Sequence, residues 1–127
     1  MKNNDQHHRL SKHLEFLETV LAEKIETLVA RGTANTRMRD FYDIYVLTET
    51  QAHNIDNATL KEAVINTSEQ RGSISLWSDA DLITKEISES TVLIDLWKNY
   101  QRKFDYAADV FWDDVMKAVK CLIEIVK

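Results

Sequence analysis

Leu17-Glu-Thr-Val-Leu-Ala-Glu-Lys-Ile-Glu-Thr-Leu-Val-Ala-Arg-Gly-Thr-Ala-Asn-Thr-Arg-Met-Arg-Asp-Phe-Tyr-Asp-Ile-Tyr-Val-Leu47 reads as two helices joined by a short polar turn. Leu10, Leu14, Leu17, Leu21 and Leu28 follow alternating steps of four and three, with one member missing. That spacing predicts a helix that buries one stripe, from about Arg9 to Arg31. The vacant place in the series falls on Lys24. Gly32 stands where a left-handed residue closes a helix. Thr33 to Thr36 form the connection, and Asn35 or Thr36 caps a second helix that continues to about Thr48. Its apolar face is Met38, Phe41, Tyr42 and Tyr45, with Ile44 and Leu47 to one side. Asp40 falls in the first turn, where the helix dipole favours a carboxylate.

Outward from this pair the chain stays helical. Residues 1–8 are polar and expected to be disordered. Residues 49–56 form a loop, and Asn57 caps a third helix over about Ala58 to Gln70, with Leu60, Val64 and Thr67 inward. Gly72 breaks it. Ser73 to Trp77 is an apolar connector, the one place for a strand-like piece. Ser78-Asp-Ala-Asp81 has the form of a capping box and opens a fourth helix to about Ser88. A fifth, about Ser90 to Phe104, buries Leu93, Trp97, Tyr100 and Phe104. A sixth, about Ala108 to Val126, buries Phe111, Val115, Ala118, Leu122 and Val126.

Composition agrees. The chain has 127 residues, no proline and two glycines, so the turn-rich antiparallel β folds are excluded. The expected fold is all-α, a single helical domain over residues 1–127 with five or six helices and no substantial sheet. A net charge of −5 gives no general attraction to nucleic acid, so any such contact needs a local patch. The lone Cys121 excludes an internal disulfide and is expected as a small buried apolar residue in a reducing, cytoplasmic setting. No apolar run approaches a membrane span, and the start lacks a signal peptide's hydrophobic segment.

Several polar residues invite a chemical role. Lys24 occupies a core-facing slot. It either snorkels and pairs with Glu23 or Asp40, or is held in a dry cleft to meet a phosphate. Arg37, Arg39 and Asp40 at a helix start form either an anion site or a solvated turn with an Arg39–Asp43 pair. Gly72-Ser73 followed by Asp79-Ala-Asp81 imitates a nucleotidyltransferase metal motif, but the spacer is short and the aspartates suit a helix start better. His7, His8 and His13 lack companions for a metal shell. No metal ligands are assigned. Trp77, Trp97 and Trp112 are expected in the core.

Two of these segments, Leu17 to Gly32 and Asn35-Thr-Arg-Met-Arg-Asp-Phe-Tyr-Asp43 with its continuation to Leu47, closely resemble the AbiEii/AbiGii nucleotidyltransferase toxin family. There a helix carrying Ala-Glu-Lys is followed by Asn-Ser-Arg-Met-Lys-Asp-Phe-Tyr-Asp. Leu60 to Arg71 and the Leu96-Trp-Lys-Asn-Tyr100 region look like the family's later helices. The resemblance implies that Lys24 is the active-site lysine facing nucleoside triphosphate phosphates. It implies that Asp40 is the late catalytic aspartate and that Arg37 is a motif arginine. Arg39 stands where the family usually has lysine.

The family also implies a toxin–antitoxin or phage-defence setting, an antitoxin partner, and nucleotide transfer, in some members to tRNA. Its α/β nucleotidyltransferase core, with Gly-Ser and Asp-x-Asp elements that hold Mg²⁺, precedes the lysine helix and is expected to be absent from this chain. Lys24 and Asp40 are then a vestigial or composite site. The expectation is no catalysis by this chain alone, and no cofactor. Mg²⁺ and nucleoside triphosphate enter only with a complementing core on a separate chain. The alternative is a non-enzymatic helical interaction module or homo-oligomer, using a face that includes Phe16, Val20 and Ile25.

Overall fold

The computed structural model describes the backbone from Lys2 and the side chains from Phe16 to Lys127. Among the described residues there are six α-helices and no strand: α1 (Lys2–Arg31), α2 (Met38–Gln51), α3 (Asn57–Arg71), α4 (Ala80–Glu89), α5 (Thr91–Lys103) and α6 (Trp112–Val126). None is long and apolar enough to cross a membrane. α1 starts at Lys2 rather than near Arg9; the stripe members Leu10 and Leu14 and the three early histidines lie outside the residues whose side chains are described.

α1 packs along α3, and α6 runs through the middle against α2, α3 and α4. The burial of α6 follows from its sequence. Val115, Met116, Ala118, Val119, Leu122, Ile123 and Val126 cover a face wide enough to meet several helices. Leu21, Leu28, Leu60, Val64, Leu93 and Trp97 are buried as expected. The α1 stripe is broader than its leucines, because Ala22, Ile25 and Val29 are also inside. Ile25, expected on an exposed interaction face, is fully buried, since α1 is covered from more than one side. Ile44 is likewise central to α2 rather than lateral.

Chain reversals follow the glycines. Gly32 (φ 54°) and Gly72 (φ 73°) both take the left-handed conformation that closes a helix. After Gly72 the Ser73 N–H returns to the Ser68 carbonyl at 2.8 Å, and residues Ile74–Asp79 wind into a 3₁₀ turn rather than a strand-like piece. That turn leads directly into α4, so Asp79 at the cap position is not extended and no capping box forms. The Ser78 hydroxyl instead donates to the Ser75 carbonyl.

Other caps also differ. Asp56, not Asn57, caps α3, accepting the Thr59 N–H at 3.0 Å. Neither Asn35 nor Thr36 takes the cap position of α2, which belongs to Arg37; buried Asn35 accepts the Arg37 N–H one step earlier, at 3.2 Å. Ser90 caps α5 as the sequence suggests.

α6 begins at Trp112, because a 3₁₀ turn at Asp105–Ala107 and an extended Phe111 precede it. Phe111, expected inside, is therefore exposed, and Trp112 takes the core position against Phe41. Asp113 and Asp114 then suit the positive end of the helix dipole. Cys121 is exposed rather than buried, since it lies on the outer side of α6.

The Asp56 cap carries a pH dependence. The Thr59 hydroxyl and then the Thr59 N–H hold its carboxyl below the usual aspartate range. A lowered native value means the contribution is present at neutral pH and lost as pH falls through the native value. Asp56→Ala should lower the urea midpoint at pH 7. The gap to wild type should close in acid, as a pH series of urea titrations will read.

Candidate functional site

Lys24, Thr27 and Arg31 lie at helical spacing on one side of α1, toward its C-terminal end. The turn at Gly32 brings the start of α2 back against them, which sets Arg37 and Asp40 opposite Lys24. Arg71, the last residue of α3, closes a third side. The result is an open cleft of about 240 Å³.

Its centre is one ammonium group. Lys24 Nζ lies 3.2 Å from Asp40 Oδ1 and 3.1 Å from Asp43 Oδ2. Asp43 gives its other oxygen to Arg39 Nε at 3.0 Å, and Arg37 Nε stands 4.0 Å from Asp40 Oδ2. The Asp40 side chain is only 10% exposed, so it requires a charged partner. The Lys24 side chain keeps 21% exposure. An ammonium has three donors, and two carboxylates leave one for a ligand. The four sequence candidates Lys24, Arg37, Arg39 and Asp40 are thus joined through two carboxylates. The Arg39–Asp43 pair also forms as the spacing suggests, and it raises the Arg39 pKa through the hydrogen bond and charge of Asp43.

Sequence reasoning passed over Arg71, Arg31 and Glu26. Glu26 is buried beside the cleft, accepting Arg71 Nη1 at 2.8 Å on one oxygen and the Ser73 hydroxyl at 2.7 Å on the other. Arg71 also reaches the Thr27 hydroxyl at 3.4 Å. The available signal was a glutamate on the buried side of α1 and an arginine just before a helix-closing glycine. Ser73 of the Gly-Ser pair anchors this network, while the Asp-x-Asp that follows goes elsewhere. Asp81 is exposed and pairs with Lys127 at 2.6 Å, in a separate depression with Lys120.

The described side chains around this cleft do not fit magnesium. Hard divalent ions need clustered free carboxylate oxygens. Here Asp40 and Asp43 are already drawn to one lysine, and no group of three possible metal ligands occurs among the described residues. Lys24, Arg31, Arg37 and Arg71 share the opening with Glu23 and Asp40, and four cations against two carboxylates suit an anion with several oxygens better than a cation.

The described helices thus hold a lysine shared by two α2 carboxylates beside an arginine-lined cleft. The family model described as nucleotidyl transferase AbiEii toxin, type IV TA system, matches residues 15–119, and the chain belongs to that family. No curated protein and no solved structure matches it.

Glu26→Ala strands the buried Ser73 hydroxyl and releases Arg71. We expect a loss of about 2 kcal/mol in unfolding free energy, measured by urea titration.

Proposed function

We propose that this chain forms the phosphate-facing helical wall of an AbiEii-type nucleotidyltransferase site and does not transfer nucleotides by itself. The observation that carries this is the Lys24 ammonium, held between Asp40 and Asp43 at the mouth of an arginine-lined cleft. Lys24 meets the phosphates of a nucleoside triphosphate, with Arg37 and Arg39 beside it. Asp40 fixes the lysine and faces the acceptor group. Phosphoryl transfer also needs developing charge neutralised, which the family achieves through metal-holding carboxylates.

The only Asp-x-Asp of the sequence is Asp79-Ala-Asp81, and its second carboxylate is engaged with Lys127 away from the cleft. The metal-holding carboxylates of an active assembly then come from outside residues 16–127, as in a composite site with a separate nucleotidyltransferase core chain. An antitoxin partner, a tRNA acceptor and a cytoplasmic setting belong to the same proposal.

Incubation with Mg²⁺, labelled nucleoside triphosphates and bulk tRNA tests it. Incorporation should not exceed that of Lys24→Ala; incorporation above that control overturns the claim of inactivity.

One observation favours the second role, an interaction module. Phe16 is 65% exposed and lines an apolar groove with Leu17, Val20 and Leu47. If that groove serves self-association, sedimentation should show a species larger than a monomer that Phe16→Ser disperses; a strict monomer at high concentration counts against it.

A further inference from the structure

α2 presents Arg39, Tyr42 and Asp43 at positions three and four apart, so their side chains emerge together. Asp43 stands between Lys24 and Arg39, one oxygen to each. Beside them the Tyr42 ring packs on Tyr106, with centroids 4.7 Å apart, and Tyr106 lies 5.2 Å from Phe104. The Tyr106 and Tyr100 hydroxyls share a 2.7 Å hydrogen bond. Burial, and then this bond, push the Tyr100 pKa up. Arg39 leaves α2 one turn before Tyr42, the ring that packs on Tyr106.

The Tyr106 ring is therefore fixed by two rings and a hydroxyl, yet the residue is 46% exposed. Anchoring the turn at Asp105–Ala107 requires only the contacts on its packed side. Tyr42, on which Tyr106 packs, shares an α2 turn with Arg39, whose guanidinium is one carboxylate away from Lys24. Rigid open aromatic surface beside arginine is what a nucleobase stacks on, because every base offers a π face and the cation adds to the attraction.

We infer that Tyr106, backed by Tyr42 and reached through the Lys24–Asp43–Arg39 ion pairs of the same α2 turn, is a nucleobase-stacking subsite. The inference rests on Lys24 being a phosphate contact. The subsite takes the base of a nucleotide whose phosphates lie at Lys24. That base belongs either to a nucleoside triphosphate or to the end of a single-stranded RNA.

The test is titration calorimetry on the full chain at low salt, with ATP, inorganic tripolyphosphate and a short oligoadenylate. ATP should bind about tenfold more tightly than tripolyphosphate, although tripolyphosphate carries more charge. Tyr106→Ala should remove that margin and leave tripolyphosphate binding unchanged. Tyr106→Phe, which keeps the ring and loses the hydroxyl, should retain it. Lys24→Ala should weaken both phosphate ligands alike.

Equal binding of ATP and tripolyphosphate by wild type overturns the subsite and leaves the phosphate site standing. So does an ATP margin that survives Tyr106→Ala. Tripolyphosphate binding that is absent, or indifferent to Lys24→Ala, overturns the phosphate reading instead; binding of neither ligand overturns both. A greater Tyr106 dependence for oligoadenylate than for ATP assigns the base to RNA, and the reverse assigns it to the nucleotide. If Tyr106→Ala loses its near-ultraviolet dichroism, Tyr106→Leu, which keeps an apolar side chain without a π face, replaces it and should also narrow the ATP margin.

Discussion

A carboxylate nearly shut off from water must find a cation, and Asp40 finds it in Lys24. That requirement joins two helices that adjacent sequence alone does not hold in register. The leucine and isoleucine positions of α1 decide that it packs. The Lys24 bond to Asp40 and Asp43 decides where the first turn of α2 comes to rest on it. Glu26 does the same for the end of α3 through Arg71 and Ser73. Two polar positions on α1, two residues apart, thereby fix two neighbours and leave an opening between them. The apolar core supplies most of the stability, at about 1.5–3 kcal/mol per fully buried large side chain before entropy is set against it. The ion pairs supply position.

What was legible in the sequence was what depends on period and on single special residues. The stripes of α1, α3, α5 and α6 carry the helical repeat, and Gly32 and Gly72 stop helices because left-handed backbone suits few other residues. What was not legible depends on the path of the chain between elements. Asp56 and Asn57 are equally good capping types, and only the entry angle chooses Asp56. Ser78 has the right spacing for a capping box, but a 3₁₀ turn removes the extended backbone that a cap requires. Phe111 and Trp112 are adjacent large aromatics, and the start of α6 decides which turns inward. Cys121 fell on the outside because an apolar run in α6 is wider than the face its neighbours cover.

The same division runs through the site. Lys24 was legible as a misfit in an apolar series, and Asp40 and Arg39 as charges in a first turn, since each contrasts with its local pattern. Arg71 and Glu26 have no local contrast. They meet across the packing of α1 on α3, and nothing in either segment names the other. Gly72-Ser73 and Asp79-Ala-Asp81 show the converse hazard. Residue types that suggest a metal motif are divided by the fold between a helix closure with a buried hydrogen bond and a surface ion pair.

α2 shows how little chain is needed to connect these features. Met38, Phe41 and Ile44 hold it to the core, which makes its remaining faces rigid. Asp40 and Asp43 are one turn apart and reach the same ammonium, so they cannot move independently of α1. Tyr42 projects from the same turn onto Tyr106, and Asp43 joins Arg39 to Lys24. A displacement of the α2 start relative to α1 would break the lysine pairing, open the cleft toward Arg71 and shift the aromatic surface together. The arginine-lined cleft and the ring beside it are thus held at a fixed separation by one helical turn. Fixed separation is what a site needs if it is to recognise phosphate and base as parts of one molecule.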